Sequence, residues 1–509
     1  MFRMIEPAVG IDLGTTYSVV AALDDLGRPK TVLNSEGDKL TPSVVLFEGT
    51  DVVVGKEAVK ALATDASQIA ECAKRDLGQR VYHKVLGGRQ YPPEALQACV
   101  LNKLRIDSSR QIGEYSKVVI TVPAYFDEVR RKATQDAGYI AGLDVIDIIN
   151  EPTAAALAYG LQTGFLTLTG DVPEMRRVLV YDLGGGTFDV TVMELQGRSF
   201  NTLATDGDVQ LGGRDWDQRM MDYVAERFMA LAGFDPRQDI NHEGRLWHEC
   251  EEAKRTLTAR QRATISWEWQ GKPLRVEVTR EKFEELTLDL LERTAFTTRQ
   301  TLQAAGLTWD QIDHVLLVGG STRMPSVVQM LKQLSGKTPD RSLSPDEAVA
   351  HGAALRAGWL LAQEAGETPP FRIRNVNSHS LGVVAVEAQT KRSRNAILIP
   401  RNTPLPVAAE RVFKTQQPSQ RSILVQIVEG ESAAPEDCLP IGKCVVRQLP
   451  PNLPAMTPIK VRFRYEENGR LQVAVSCAGK MLQHELTRDN SLTPAQLGSW
   501  RQFITGRRE

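Results

Sequence analysis

Two glycine-containing stretches, IDLGTTYS (residues 11–18) and YDLGGGTFDV (residues 181–190), decide the fold. In each, Asp-Leu-Gly ends a run of apolar residues and threonine follows the glycines. Consecutive apolar positions such as 178–181 are typical of a strand that is buried on both faces. Because the pattern recurs 170 residues later, we predict two duplicated lobes.

The same stretches contain groups suited to binding phosphate. Glycines in a tight turn let backbone N–H groups approach phosphate oxygens. Thr187 and the threonines at 15–16 add hydroxyl donors, and Asp12 and Asp182 at the strand ends suit a hydrated Mg²⁺. Either stretch alone could be an ordinary β-hairpin. Two of them, with the glycine pair at 319–320, favour a clamp on a triphosphate between two lobes.

Short β-branched runs alternate with longer helical patterns over residues 1–366. The predicted strands are Ala8–Leu13, Val118–Val122, Arg177–Tyr181, Val190–Leu195 and Asp313–Val318. The predicted helices are 128–141, 216–231, 245–257, 280–305 and a last one that ends near Ala365. Ser344-Pro345-Asp346-Glu347 predicts a capping box with proline at the first position of that last helix. The alternation predicts an α/β fold.

The composition excludes several classes of protein. The 509 residues carry 61 Lys and Arg against 63 Asp and Glu, which gives no electrostatic case for a nucleic-acid partner. No apolar run is long enough for a membrane-spanning helix, so no membrane association is expected. The six cysteines lack CxxC spacing, and we expect a cytoplasmic, reducing environment. A P-loop and a GxGxxG fingerprint are also missing.

The chain changes character after residue 366. Residues 367–509, little more than a quarter of the chain, hold 13 of the 26 prolines and 20 Lys and Arg against 12 Asp and Glu. Apolar residues alternate over 459–465, Asn468-Gly469 predicts a hairpin turn into 471–475, and Ser422–Glu429 reads as a further strand. We predict an antiparallel β-sandwich, which can bind an extended peptide through backbone hydrogen bonds. Thr493-Pro494-Ala495-Gln496 predicts a capped helix near the end.

Blocks of sequence spread over the chain resemble the seventy-kilodalton heat-shock chaperone family (DnaK-type). They are IDLGTTYS (11–18), VITVPAYF (119–126), INEPTAAALAYG (149–160), YDLGGGTFDV (181–190), LGGRDWD (211–217), LLVGGSTRMP (316–325) and SPDEAVAHGAA (344–354). The resemblance reaches about Leu492. It implies an α/β actin-like (ribonuclease-H-like, duplicated) ATPase domain over 1–366, a linker over 367–377 and a β-sandwich peptide-binding domain over 378–492. Residues 493–509 would form a short helix, and the family's helical lid is expected to be absent.

The resemblance also implies roles for individual residues. Those expected around the metal, the attacking water and the γ-phosphate are Asp12, Lys74, Glu151, Asp182, Thr187 and Asp189, with Asp12 and Asp182 holding Mg²⁺ through water. Those expected to bind the nucleotide are Gly14, Thr15, Thr16, Tyr17, Gly184, Gly185, Gly186, Gly212, Gly213, Glu251, Lys254, Arg255, Thr258, Gly319, Gly320, Ser321, Arg323 and Asp346. Without the resemblance, Lys74 reads as a solvated helix residue, and the set from Glu251 to Thr258 as a charged helix face.

Seven residues match the family's peptide cleft: Val383, Val386, Phe413, Gln416, Ile423, Val425 and Ile459. By pattern alone the apolar members are equally typical of sandwich core. The expected cofactors are ATP or ADP and Mg²⁺, with K⁺ as an assisting ion. The expected partners are unfolded or extended peptide segments, a J-domain cochaperone and a nucleotide exchange factor.

Three departures from the family pattern concern coupling between the domains. The linker reads Phe371-Arg372-Ile373-Arg374-Asn375 where the family has leucines and an aspartate, so we expect weaker apolar docking. Asp147 stands where the family has an arginine and Asn375 where it has the aspartate that this arginine contacts, so we expect altered coupling. The expected absence of the lid is the fourth difference and should speed peptide release. Arg214, where the family has a glutamate, is expected to perturb the nucleotide site.

The function predicted from all this is an ATP-hydrolysing chaperone-like protein for extended apolar segments. The principal alternative is a nucleotide-gated scaffold or regulator with one dedicated partner. A sugar kinase of the same actin-like superfamily is the second alternative.

Overall fold

The computed structural model describes residues 6–49, 51–166, 172–368, 371–387, 389–466, 471–485 and 492–506. Over these residues the chain forms two α/β lobes, a linking strand, a two-sheet β-sandwich and a final helix. None of the helices in this part of the chain combines the length and apolar character needed to cross a bilayer.

The first lobe is built on a mixed sheet with the strand order β3-β2-β1-β8-β9. Its strands are β1 (Val9–Asp12), β2 (Tyr17–Leu23), β3 (Pro29–Val32), β4 (Thr41–Pro42), β5 (Val44–Glu48), β6 (Asp51–Val54), β7 (Ile69–Glu71), β8 (Lys117–Val122) and β9 (Asp144–Asn150). Its helices are α1 (Lys56–Lys60), α2 (Pro93–Ile112), α3 (Glu128–Ile140) and α4 (Glu151–Thr163). Asp127 caps α3 by accepting a hydrogen bond from the Arg130 N–H, and Gly164 ends α4 in the left-handed region.

The second lobe repeats this plan, with the strand order β15-β10-β11-β12-β16. Its strands are β10 (Val172–Leu183), β11 (Phe188–Gly197), β12 (Ser199–Asp208), β13 (Arg262–Trp269), β14 (Lys272–Thr279) and β15 (His314–Val318), and β16 (Arg372–Arg374) joins from the linker. Its helices are α5 (Gly213–Ala232), α6 (Ile240–Ala259), α7 (Arg280–Leu286), α8 (Leu288–Ala304) and α9 (Pro325–Ser335). Helix α10 (Ala348–Glu364) crosses back and packs on β1 and α4 of the first lobe.

The strand pairings confirm the predicted duplication. In the first lobe β1 pairs antiparallel with β2 and parallel with β8, and in the second β10 pairs antiparallel with β11 and parallel with β15. Both glycine stretches are therefore turns between the first two strands of a lobe. In the second lobe the register places Asp182 directly opposite Asp189.

Two four-stranded antiparallel sheets form the sandwich. They comprise β17 (Leu381–Val386), β18 (Ser393–Ile399), β19 (Val407–Lys414), β20 (Ile423–Glu429), β21 (Leu439–Val446), β22 (Pro458–Tyr465), β23 (Leu471–Cys477) and β24 (Lys480–Glu485). The predicted hairpin is confirmed, since Tyr465 pairs with Leu471. Its Asn468-Gly469 turn lies outside the described residues.

Two helix predictions needed correction. The pattern over 280–305 forms two helices, because Thr287 interrupts it with extended φ and its hydroxyl donates to the Phe283 carbonyl. The capping box at Ser344 is wrong: α10 begins at Ala348, and residues 345–347 form a turn. The Glu347 carboxylate is shared with distant partners, since it accepts from the Thr31 hydroxyl at 2.6 Å and from Lys39 at 3.0 Å in addition to the Ser344 hydroxyl at 3.1 Å.

The final helix, α11 (Pro494–Thr505), packs on the first lobe. It has the predicted capping box, in which Thr493 and Gln496 bond to each other's backbone N–H. Trp500 contacts Tyr91 with 5.8 Å between ring centroids, and Ile504 is 5% exposed within the core of the first lobe. The core of this lobe therefore includes residues from both ends of the chain.

Candidate nucleotide-binding site

A cavity of about 420 Å³ lies between the two lobes, and both glycine turns line it. It is lined by twenty of the predicted site residues: Asp12, Gly14, Thr15, Thr16, Tyr17, Lys74, Glu151, Asp182, Gly184, Gly185, Thr187, Glu251, Lys254, Arg255, Thr258, Gly319, Gly320, Ser321, Arg323 and Asp346. Four others, Asp189, Gly186, Gly212 and Gly213, lie behind this lining. Segments far apart in sequence thus meet at one cleft.

The two glycine turns touch each other across the cleft. A Cβ added to Gly185 would lie 2.3 Å from the Thr16 Oγ1, and one added to Gly186 would lie 2.2 Å from the Thr15 Cγ2. Any larger residue at 185 or 186 would therefore push the lobes apart. The glycines serve the close approach of the two turns as well as the approach of a phosphate.

Gly212 and Gly213 support the second turn from behind. The Gly213 N–H donates to the Gly184 carbonyl at 2.9 Å, and the Ser321 hydroxyl donates to the same oxygen at 2.9 Å. A Cβ on Gly213 would lie 2.3 Å from the Ser321 Oγ. These contacts hold the backbone of the second turn in one conformation.

Four buried carboxyl groups converge at the base of the cleft. Burial and the neighbouring Glu151 raise the pKa of Asp12 to about 7 and that of Asp189 to about 8. Burial, Glu151 and Asp189 raise the pKa of Asp182 well above its ordinary value. Such a cluster is costly without a cation to neutralise it, which is typical of a site that binds a positive ion.

Lys74 supplies one cation to this cluster. Its side chain is 2% exposed, and its Nζ lies 2.7 Å from the Glu151 Oε1 and 5.6 Å from the centre of the Phe126 ring. The reading of Lys74 as a solvated helix residue is therefore wrong. A buried, paired ammonium at the floor of the cavity can stabilise negative charge that develops there.

The charged residues of α6 form the opposite wall of the cavity. Arg255 donates to the Tyr17 hydroxyl at 2.6 Å and to Glu251 at 2.7 Å, which ties α6 to the first glycine turn. Lys254 donates to the Gly213 carbonyl at 3.0 Å and to the Asp217 Oδ2 at 2.7 Å. The alternative of an ordinary solvated face does not hold for these residues, because they line the cavity.

Arg323 and Asp346 complete the wall below the second turn. They form an ion pair at 2.5 Å, and Gly319 has a φ of 81° with its Cα close to the Leu183 carbonyl. A Cβ on Gly319 would lie 2.4 Å from that oxygen, so only glycine fits.

Two residues of the site were missed by sequence reasoning. Asp217 lines the cavity, and its Oδ1 is buried with no hydrogen-bond partner among the described residues. Arg75 joins the lobes, since its Nε donates to the Gly186 carbonyl at 2.8 Å and its guanidinium pairs with Asp215 at 2.5 Å. Asp217 stands inside the quoted LGGRDWD block and Arg75 next to Lys74, so both were within reach of motif reasoning.

The predicted peptide-cleft residues divide into two groups. Val383, Ile423, Val425 and Ile459 are buried in the sandwich core, and Phe413 packs against that core. Val386 and Gln416 are exposed, Val386 to 44%. The structure therefore brings five of the apolar members together in or against the core and leaves Val386 and Gln416 on the surface.

The departures from the family pattern have specific partners. Asp147 pairs with Arg356 of α10 at 2.8 Å, against the first lobe, and the Thr153 hydroxyl donates to the Asn375 Oδ1 at 3.5 Å. Arg214 lies 3.9 Å above the Trp247 ring and contacts Glu71 of the other lobe at 3.6 Å. These residues form contacts of their own in place of those in the family pattern.

The linker lies on the second lobe. Strand β16 pairs parallel with β12, Phe371 is buried against Trp359, and the alternation leaves Arg372 and Arg374 exposed. Docking thus uses backbone pairing and one aromatic side chain, and the arginines do not have to be desolvated. The expected weakening of docking stays a prediction.

The duplicated lobes, the cleft between them and the attached sandwich define an actin-like ATPase joined to a β-sandwich. A family model described as Hsp70 protein matches residues 8–87 and 82–496. The chain is similar to proteins named Chaperone protein DnaK from two strains of Thermus thermophilus, each 40% identical over 517 residues, with 96% of this chain and 81% of the relative covered. The chain belongs to the Hsp70 family, and it is an ATP-dependent chaperone that hydrolyses ATP and binds unfolded peptide segments.

Proposed function

We propose that hydrolysis takes place at the floor of the cleft, by in-line attack of water on the γ-phosphate of ATP. The observation that carries this assignment is the buried pair of Lys74 and Glu151 beside three carboxyl groups with raised pKa. Lys74 would stabilise charge on the transferred phosphoryl group, and Glu151 and Asp189 would orient the water. The Thr187 hydroxyl would contact the γ-phosphate from the second glycine turn.

The acids of the cleft fit a Mg²⁺ ion. The Asp182 Oδ2 is buried and has no hydrogen-bond partner among the described residues, as a carboxylate that binds a hydrated cation requires. The Asp12 carboxylate is held in place by Thr121, whose hydroxyl donates to the Asp12 Oδ1 at 3.0 Å. Mg²⁺ held by Asp12 and Asp182 through water would neutralise part of the phosphate charge. K⁺ is proposed as a further ion at the same acids.

The proposal also covers the domains and partners. The ATPase domain is assigned to residues 1–366, the linker to 367–377 and the peptide-binding sandwich to 378–492. Peptide is proposed to be held at the sandwich surface by Val386, Phe413 and Gln416, since the other four predicted cleft residues are buried in the core. A J-domain cochaperone, a nucleotide exchange factor and a cytoplasmic location are proposed from the family. Support for a peptide site comes from Val386 and Phe413, which lie exposed or half-buried at the sandwich surface.

Substitution of Lys74 tests the catalytic assignment. Lys74→Ala should lower single-turnover phosphate release by about a hundredfold or more while ATP binding measured by calorimetry is retained. Lys272→Ala, at the exposed first residue of β14, is the matched control and should behave as wild type. Retained turnover in the Lys74 variant would refute the assignment.

The peptide site is tested separately. Val386→Asp should weaken binding of a fluorescent extended apolar peptide in the presence of ADP, whereas Leu26→Asp, at an exposed apolar residue of the first lobe, should not. Equal binding by the two variants would contradict the placement of the cleft at Val386.

A further inference from the structure

The sandwich reaches the catalytic acids through the dipeptide Tyr125-Phe126, which follows β8. The Tyr125 N–H donates to the Asp189 Oδ1 at 2.8 Å. The Phe126 ring lies 5.6 Å from the Lys74 Nζ. A shift of this dipeptide would therefore move groups next to the reacting phosphate.

His379, which lies between β16 and β17, contacts the other side of this dipeptide. Its Nε2 is 3.0 Å from the Tyr125 carbonyl oxygen, and the two rings lie 4.2 Å apart. A carbonyl oxygen only accepts, so the histidine must carry its proton on Nε2 and donate it. The next residue back, Ser378, also donates from its hydroxyl to the Phe126 carbonyl at 3.5 Å.

The surroundings leave the Tyr125 peptide little freedom. A Cβ on Gly207 of β12 would lie 2.9 Å from the Asp189 Oδ1 and 3.0 Å from the Tyr125 Cβ. Tyr125, Asp189 and β12 are thus in direct contact without spare volume, and packed groups of this kind transmit displacement. The imidazole of His379 and the carboxylate of Asp189 hold opposite sides of one residue.

We propose that His379 is a positioning residue for ATP hydrolysis. By donating to the Tyr125 carbonyl, it orients the Tyr125 N–H and, through that bond, the Asp189 carboxylate. This inference rests on the proposed role of Asp189 in orienting the attacking water. It gives the docked sandwich a direct contact with the catalytic centre, in addition to the contacts that only hold the domains together.

Contacts that only hold the sandwich and the second lobe together supply a matched control. Arg401 pairs with Asp206 at 3.5 Å, and the Asn402 Oδ1 accepts from the Thr205 N–H at 3.0 Å. Both join the sandwich to β12, and neither partner hydrogen-bonds Tyr125 in the described part of the chain. Loss of the Arg401 contact should leave the rate of hydrolysis unchanged.

Single-turnover hydrolysis by the full chain tests the inference. His379→Leu removes the donor, and loss of one hydrogen bond should lower the rate by about fivefold with the affinity for ATP unchanged. His379→Gln places an amide N–H near the position of Nε2 and should restore a rate close to that of wild type. Arg401→Gln should hydrolyse ATP at the wild-type rate.

Three results would overturn the inference: a wild-type rate in His379→Leu, an equal fall in His379→Gln, or an equal fall in Arg401→Gln. Hydrogen exchange of the β16 amides gives the remaining check, since protection should persist in His379→Leu. Loss of that protection in step with the rate would show that His379 only holds the domains together, and would also overturn it. Failure of the proposed function is distinguishable, because wild type itself would then lack Lys74-dependent hydrolysis.

Discussion

The two lobes share one strand plan but differ in where the polar groups of their glycine turns find hydrogen-bond partners. In the first turn, the Gly14 N–H donates to the Ser18 hydroxyl at 3.1 Å and Asp12 is held by Thr121. In the second turn, Gly185 and Gly186 approach the other lobe closely, and the Asp182 Oδ2 is left without a partner among the described residues. The polar groups of the first turn therefore find hydrogen-bond partners within their own lobe. In the second turn, the Asp182 Oδ2 has no such partner among the described residues and is available to a ligand.

The lobes also differ in how their cores are completed. The core of the second lobe is drawn from residues between Leu179 and Leu331. The core of the first lobe includes Ile504 and borders Trp500 and Phe503, which come from the far end of the chain. Duplication thus gives the two lobes the same strand plan, and a later segment of the chain completes the core of the first lobe.

The largest effect expected from this difference concerns the two aspartates. Asp182→Asn should lower the rate of ATP hydrolysis by about a hundredfold, because it removes the charge of the carboxylate with the free oxygen. Asp12→Asn should cost about tenfold, because an amide oxygen at that position can still accept from Thr121. Single-turnover rates at saturating ATP and Mg²⁺ measure both, and equal losses would show that the two turns contribute alike.

The second effect concerns the contact between the turns. Gly186→Ala should weaken ATP binding by about tenfold, or 1.4 kcal/mol, because the new methyl group would meet Thr15 of the other lobe and hold the cleft open. Calorimetric titration with ATP measures this change. Gly498→Ala is the control, since an added Cβ there meets no atom of the described chain within 4 Å. A wild-type affinity in Gly186→Ala would contradict the close approach of the turns.

The difference between the two cores also predicts a difference in stability between the two lobes. This difference in free energy should be at least as large as the change in ATP binding above, and it should leave the rate of ATP hydrolysis unchanged. Ile504→Ala should lower the free energy of unfolding of the first lobe by about 3 kcal/mol, because it empties a buried site in that core. Hydrogen exchange should rise in α2 and α3 and stay unchanged in α5. Gln502→Ala, at an exposed position of the same helix, should change neither, and faster exchange in α5 would show that the lobes share one cooperative core.

The last effect is a pH dependence of stability that arises at Asp189, in the strand that follows the second turn. Because its pKa is raised to about 8, the Asp189 carboxyl keeps in the folded protein a proton that it releases in the unfolded chain between about pH 4 and pH 8. Its contribution to stability therefore falls as the pH rises through this range. Asp189→Asn removes that dependence, so its gain in the free energy of unfolding over wild type should grow by about 4 kcal/mol from pH 5 to pH 8. Urea unfolding without nucleotide and with chelator measures it, and a gain that is constant with pH would contradict the raised pKa.

Local signals in the sequence predicted a structural element correctly where the residues that bond to each other lie close along the chain. The capping box at Thr493 was predicted correctly because Thr493 and Gln496 are three residues apart and satisfy each other. The same pattern at Ser344 failed because Glu347 bonds to Thr31, 316 residues away. A capping motif predicts a helix start only if its acid is not taken by a tertiary partner.

The candidate site was predictable to the extent that it consists of motifs. The glycine turns and the acids stand in the sequence blocks that resemble the family, and Lys74 was assigned from the same resemblance. The structure gathers most of these residues around one cavity. The contact of His379 with Tyr125 joins residues 254 positions apart, and no spacing rule relates them. Burial of Val383, Ile423 and Val425 likewise depends on which face of each strand turns toward the opposite sheet.

The amino-acid sequence alone determined the duplicated lobes, the two glycine turns and the change to a β-sandwich after residue 366, because each of these depends on local patterning and residue type. Tertiary structure alone decided that the two glycine turns touch, that Lys74 is buried against Glu151, that the linker becomes an edge strand and that the last helix completes the first lobe. These features depend on burial and on the loss of water around charges, and both are properties of the packed chain.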